Sequence, residues 1–169
     1  MKLLTYIFII SVLISGCDGT PEISSINAEN WSKRAIDVSN RDSLESGKSY
    51  LSIYSEIYSK SEHVTRNLTA MASIRNTSYK DTIFIEKAGY YETHGKLVRN
   101  YFNHTIYLAP LETTVIVIDE FDEEGGTGSN FLFSWKKPKD CPEPIFEGIM
   151  SSTMGQQGLA FSTIGKRIE

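Results

Sequence analysis

The densest group of side chains able to do chemistry is a run of acids that precedes two glycines. Asp119, Asp122, Glu123 and Glu124 lie close together in the chain. Carboxylate oxygens from one loop are the ligands that a hard cation such as Ca²⁺ requires. The order differs from the EF-hand pattern, in which alternate acids precede the glycine and a distant Glu completes the shell. We therefore expect a solvated acidic turn without a metal, and keep a calcium-stabilised small-ligand-binding domain as the alternative.

A second candidate group is the thiol of Cys141, in a loop-like stretch rich in proline and lysine. Nearby lysines would lower the pKa of this thiol, and a cysteine nucleophile also needs a base that the fold brings to it. His63, His94 and His104 stand in no recognisable motif and lack the spacing of zinc ligands. We expect a passive thiol, no catalytic residue and no cofactor, with an unrecognised hydrolase at Cys141 as the third alternative.

Two features of the sequence, a polar loop and a set of aromatic side chains, suit the binding of a partner. Gln156 and Gln157 lie between two glycines, and such a loop suits either recognition of a partner's backbone or a plain turn. The chain is also rich in aromatic side chains that would stack on sugars or on a peptide, although packing in the core is the favoured role for them. These aromatic residues are Tyr50, Tyr54, Tyr58, Tyr90, Tyr91, Tyr101, Phe102 and Tyr107.

The chain begins with the pattern of a secretory signal. Lys2 precedes an apolar run, residues 3–14, which is shorter than the roughly 20 residues of a transmembrane helix. Ile14-Ser15-Gly16-Cys17 resembles the bacterial lipobox, and this resemblance implies cleavage before Cys17 and a diacylglycerol on its thiol. Because two or three acyl chains anchor stably, we predict a signal peptide over residues 1–16 and a lipid-anchored protein of the bacterial cell envelope. The pattern leaves the choice of membrane open.

The composition predicts one globular domain on a tether. The chain has 169 residues, of which 40% are hydrophobic and 22% charged, and a net charge of −4. This acidic balance gives no electrostatic attraction to phosphate backbones, so nucleic acid is excluded as an expected partner. Residues 17–48 are mostly polar and predict a lipidated flexible tether, which leaves residues 49–169 for the folded domain.

The folded region has the alternation of short β-strands. Asn67–Asn76 places small and aliphatic residues on one face and polar residues on the other, as a half-buried strand does. Tyr90–Val98 predicts a hairpin with Gly95 at a positive φ, and Gly125–Gly128 predicts another hairpin turn. Thr113–Ile118 is apolar on both faces, which predicts a central strand. With no convincing amphipathic helix, we predict an all-β fold, an antiparallel immunoglobulin-like sandwich.

A set of segments, taken in order, resembles a bacterial envelope lipoprotein family that is catalogued only as a domain of unknown function. These segments are Asn67–Ala70, Ser73–Thr77, Tyr90-Tyr91, Gly95–Val98, Leu108–Thr113, Gly125–Phe131, Trp135 and Gly155–Gly158. The resemblance covers roughly residues 50–168. It implies an envelope location and one domain, and it brings no activity or catalytic residue.

From these features we expect a membrane-anchored, non-catalytic binding or scaffolding module. Its exposed loops or a sheet edge would be presented to another envelope protein or a glycan.

Overall fold

The computed structural model describes residues 30–41, 43–153 and 158–169. Within them the chain forms twelve strands and two short 3-10 helices, Trp31–Arg34 and Glu123–Gly128. The strands are β1 Leu44–Ser52, β2 Glu56–Ser59, β3 Ser61–Asn67, β4 Thr69–Arg75, β5 Ile83–Tyr91, β6 Leu97–Asn100, β7 Ile106–Leu108, β8 Thr113–Ile118, β9 Asn130–Pro138, β10 Ile145–Ser152, β11 Leu159–Ile164 and β12 Lys166–Arg167. Neither 3-10 helix approaches the length and hydropathy of a membrane span.

The strands form two main sheets and a ribbon, and every strand pair described is antiparallel. The six-stranded sheet has the order β12-β1-β9-β5-β6, with β7 also paired to β5, and the four-stranded sheet has the order β11-β10-β4-β8. Strands β2 and β3 form the separate ribbon. The predicted all-β, antiparallel architecture is therefore confirmed, while its immunoglobulin-like character stays a prediction.

The core lies between the two main sheets. Phe133 of β9 stacks on Phe146 of β10 with ring centroids 4.3 Å apart, and Phe131 stacks on Phe133 at 5.3 Å. From β4, Ala70, Ala72 and Ile74 are fully buried on the inner face, as their alternation with polar residues predicts. Alternation of period two thus places one face of each sheet in the core because successive side chains of a strand point to opposite faces.

Strand β8 is at the edge of its sheet, so the prediction that Thr113–Ile118 is central is wrong. It pairs with β4, in a register that places Val117 opposite Met71, and it ends the strand order of the four-stranded sheet. Its inner residues are buried, whereas Val115 and Val117 point outward and are each 38% exposed. An apolar run on both faces indicated burial, and here one of those faces is exposed.

The segment from Gly125 to Gly128 also differs from its prediction as a hairpin turn. It belongs to a 3-10 helix between β8 and β9, and these two strands lie in different sheets. Gly126 has the predicted positive φ, 72°, as does Gly95 at 85° in the β5–β6 hairpin. The glycines therefore shape a connection that crosses from one sheet to the other.

The folded region begins before residue 49, where the sequence placed the end of a tether. Strand β1 starts at Leu44, and Trp31 is 5% exposed and contacts the Phe102 ring at 5.3 Å between centroids. The Ile36 amide also donates to the Thr105 carbonyl at 2.9 Å. A single large aromatic side chain can anchor a polar segment whose average composition resembles a tether, because it alone buries a large apolar area.

Candidate functional site

The acidic loop predicted as a weak metal site is held by an arginine. Arg99 of β6 donates from Nη1 to Asp122 Oδ2 at 3.0 Å and from Nη2 to Glu124 Oε2 at 2.8 Å. Although burial opposes its charge, hydrogen bonds to Asp122 and Tyr101 raise the pKa of Arg99 above its ordinary value. Two of the four predicted carboxylates therefore share one permanently charged guanidinium.

The other two acids of the loop bind different groups. Glu123 Oε1 accepts from Asn67 Nδ2 at 2.6 Å, and Asp119 Oδ1 accepts from the Phe121 amide at 3.0 Å. Among the described residues, no group of three or more His, Cys, Asp and Glu side chains is placed to hold a metal ion. Hydrogen bonds within the protein thus engage all four of these carboxylates.

The glycine pair of this loop allows a close approach to a buried tyrosine. A Cβ on Gly125 would lie 1.8 Å from Tyr90 Oη, and Tyr90 is fully buried with its hydroxyl 3.4 Å from Ser129 Oγ. Burial raises the pKa of Tyr90, and it raises the pKa of nearby Tyr101 to about 12. Both phenols are therefore neutral at physiological pH, and Gly125 is explained by packing against Tyr90.

Cys141 has the environment of an inert thiol. It is 4% exposed, and burial raises its pKa, against the opposing effects of a hydrogen bond with Ser78 and the charge of Lys137. The charges of Lys137 and Lys80 do lower this pKa, but burial outweighs them. His104 bonds instead to the Trp31 carbonyl, at 3.1 Å from Nε2. A nucleophilic role needs the thiolate, which this burial disfavours.

Some of the predicted site residues lie outside the described part of the chain. They are Cys17, the proposed lipidation site, and the weak partner-binding candidates Gln156 and Gln157. Their roles stay predictions. Of the predicted aromatic residues, Tyr90 and Phe102 are buried, whereas Tyr50 and Tyr58 are exposed.

The outer side of the four-stranded sheet forms a surface that the sequence did not predict. In one cross-strand row, Val117 of β8, Met71 of β4 and Ile149 of β10 lie directly opposite one another. Val115 lies next to Val117 on the same side of the sheet, and Ile145 lies on that side beyond Glu147 and Arg75. We call these five residues the exposed apolar face; Val115, Val117, Ile145 and Ile149 are each 37–42% exposed, and Met71 is half-buried.

The exposed apolar face is unusual because the outward side of a two-layer β-sandwich is ordinarily polar. Arg75 and Glu147 lie among these aliphatic residues on the same side of the sheet and form an ion pair with each other. Large exposed patches of aliphatic side chains often mark interaction sites, so this face is the candidate binding surface of the four-stranded sheet. Two features of the sequence point to this surface: Ile145 and Ile149 lie on the same side of β10, and the run of β8 is apolar on both faces. That apolar run alone predicts a buried central strand.

Comparison with known proteins gives a family and one distant structural likeness. Among curated proteins, none matches the sequence. The solved structure described as "Crystal Structure of Thermotoga maritima 1070" is 12% identical, with a TM-score of 0.45, and the match covers 71% of this chain and 92% of that one. At that level of likeness it supports no conclusion about this chain. The model of a family described as "Protein of unknown function (DUF3124)" matches residues 46–168, which include every strand from β2 to β12 and most of β1. The chain therefore belongs to the DUF3124 family.

Proposed function

We propose that this protein is a non-catalytic binding module, held at the bacterial cell envelope by a lipid on Cys17, which docks another envelope protein on its exposed apolar face. The observation that carries the proposal is the row of outward aliphatic side chains across β8, β4 and β10. Burying such side chains contributes about 25 cal/mol for each Å² of apolar surface removed from water.

The shape and chemistry of this face favour a protein as the ligand. A broad, regular sheet surface with aliphatic residues offers area without a deep cavity, and protein interfaces have an apolar centre of this kind. Small molecules bind in concave sites with a few converging polar groups, and the exposed apolar face has neither feature. The ion pair between Arg75 and Glu147 lies between Ile145 and the apolar row of Ile149, Met71 and Val117, and it offers charged groups to polar side chains of a partner.

The lipid anchor rests on the Ile14-Ser15-Gly16-Cys17 pattern. An anchored domain meets its partner at a high effective concentration because both molecules are confined to one surface. A modest apolar face is therefore sufficient for binding at a membrane, where the same face in free solution would bind weakly.

Site-specific cross-linking in the native cell tests the proposal. A photo-reactive benzoyl-phenylalanine replaces Ile149 on the exposed apolar face, and in a matched control it replaces Lys48 of β1 in the six-stranded sheet, whose side chain is 42% exposed. We expect one discrete protein adduct at Ile149, no such adduct at Lys48, and loss of the adduct in a Cys17→Ser version that leaves the membrane fraction. Equal adducts at the two positions, or none at Ile149, would refute docking on this face.

A further inference from the structure

Strand β8 presents an open edge of the four-stranded sheet. Within residues 30–41, 43–153 and 158–169 it pairs with β4 alone. The Asn76 amide donates to the Glu112 carbonyl at 2.9 Å, and this pair continues the register in which Arg75 lies opposite Thr113. Glu112 therefore directs its carbonyl toward β4.

The backbone groups of every second residue of β8 point away from the sheet. Residues of an antiparallel strand alternate between those that bond one neighbour and those that face the other side. Since Glu112 bonds toward β4, the even-numbered residues of Thr114–Ile118 do so as well. The amides and carbonyls of Thr113, Val115 and Val117 consequently face the open edge, while the side chains of the two valines lie on the exposed apolar face.

The other sheet edges carry protection that β8 lacks. Strand β12 has two residues, both basic, and β6 has four residues, including Arg99. Strand β11 lies against the six-stranded sheet, where Thr163 Oγ1 donates to the Ser52 carbonyl at 2.6 Å. Proteins protect a sheet edge with charge, proline, a bulge or a cover. Strand β8 contains no charged residue and no proline, and its register with β4 is regular.

We propose that the open edge of β8 accepts an extended segment of a partner protein as an added antiparallel strand, with aliphatic residues in alternation and basic residues at its N-terminal end. This inference rests on the proposed function, since it specifies how the partner would bind beside the exposed apolar face. Strand addition satisfies the outward amides and carbonyls of β8 and places the partner's aliphatic side chains beside Val115 and Val117.

The charge around β8 selects this occupant. Glu120 lies just beyond the end of the strand, and at the other end of β8 Glu112 is paired with Arg34 at 2.5 Å. An antiparallel segment begins where β8 ends, so its first residues lie beside Glu120, and lysine or arginine fits there. A second copy of the chain fits less well, because two-fold pairing of β8 brings Leu111 and Glu112 of that copy toward Glu120 and no lysine or arginine of that segment.

A synthetic peptide tests strand addition on the full chain, extracted in mild detergent. The probe has lysines followed by alternating threonine and valine, is labelled with a fluorophore and is titrated by anisotropy. We expect the peptide to bind the wild type at least about tenfold more tightly than the Val117→Pro variant, which lacks one outward amide. The Val117→Thr variant is the matched control, and it should bind the peptide like the wild type because it keeps that amide. Glu120→Lys should weaken the lysine peptide by about threefold and strengthen a glutamate counterpart.

The outcomes separate this inference from the proposed function. Equal affinity of the wild type and a Val117→Pro protein that melts normally would overturn strand addition, as would absence of peptide binding to the wild type. Sedimentation that shows a wild-type dimer, lost in Val117→Pro and untouched by the peptide, would overturn it in favour of self-pairing. If the Ile149 cross-link persists in any of these cases, only strand addition fails. Loss of that cross-link alone, with peptide binding intact, contradicts the docking face.

Discussion

Replacing Asn76 by alanine should destabilise the fold through the turn that precedes β8. Asn76 is 2% exposed, and its Nδ2 lies 2.8 Å from the Asp81 carbonyl, 3.1 Å from that of Leu108 and 2.9 Å from that of Ala109. Its Oδ1 accepts from the Ser78 amide at 3.0 Å. One amide group thus joins the segment after β4 to the segment between β7 and β8.

The size of the loss follows from the number of hydrogen bonds. The two hydrogens on Nδ2 are shared by three carbonyls, and Oδ1 accepts one more bond, so the side chain makes about three full hydrogen bonds. At about 1 kcal/mol net for each, Asn76→Ala should cost about 3 kcal/mol of unfolding free energy. For a domain of this size that corresponds to a melting temperature lower by roughly 10 °C.

The assay is urea unfolding followed by tryptophan fluorescence, with the slope against urea unchanged. Asn76→Asp is the matched control, because it keeps an acceptor for the Ser78 amide and loses both donated hydrogens. It should therefore be destabilised at least as much as the alanine variant, since a carboxylate would face three carbonyls. A loss below about 1 kcal/mol for Asn76→Ala would refute the reasoning, because it would mean that water replaces these hydrogen bonds freely.

Three further predictions concern packing, acid stability and thiol reactivity. Gly125→Ala should lower the unfolding free energy by about 1–3 kcal/mol, since the added Cβ would clash with Tyr90 Oη; an unchanged melting temperature would contradict this packing. A hydrogen bond from Lys137 lowers the pKa of Glu45 below its ordinary value of 4.5, so the stabilisation from this pair is present above pH 4.5 and is lost as the pH falls through the lowered pKa of Glu45. A Glu45→Gln variant should therefore melt at a different temperature from the wild type at pH 6 and at the same temperature in strong acid. Melting temperatures that differ equally at every pH would contradict the pairing. Because burial raises the pKa of Cys141, a maleimide should label it at least about tenfold more slowly in the folded chain than in urea at pH 7, and equal rates would contradict its burial.

Much of the fold could be predicted from alternation alone. The residues of β4 follow their predicted faces, because a strand with one buried face must alternate in sequence. The β5–β6 hairpin was also predictable, since Gly95 supplies the positive φ of its turn. Both features depend on residues that are close together in the chain, so the sequence pattern alone is sufficient to predict them.

The position of β8 within its sheet could not be predicted in the same way. Strand order depends on pairings between distant segments, such as β8 with β4, and an apolar run has the same appearance in a central strand and in an edge strand that another molecule covers. The prediction of a central strand therefore assigned Val115 and Val117 to the core. For the same reason the exposed apolar face was missed, although every residue in it is plain in the sequence.

The surroundings of the acidic loop could not be predicted for a related reason. The acids of the 119–124 loop suggested a cation, but the guanidinium that holds two of them comes from Arg99, more than twenty positions earlier in the chain. No spacing rule connects these residues, because their contact is created by the crossing from one sheet to the other. Composition likewise assigned Trp31 to a tether, although that one side chain is buried.

The two connections that flank β8 hold this apolar edge strand in place at both of its ends. Before the strand, Asn76 fixes the turn at Leu108 and Ala109, and the Glu112 side chain accepts from the Ala109 amide at 2.7 Å. After the strand, the Asp122 amide donates to the Asp119 carbonyl at 2.9 Å. An edge that is held at both ends loses little conformational freedom when a partner strand is added, so the cost of ordering is small. This restraint at both ends of β8 therefore favours the strand addition that we propose.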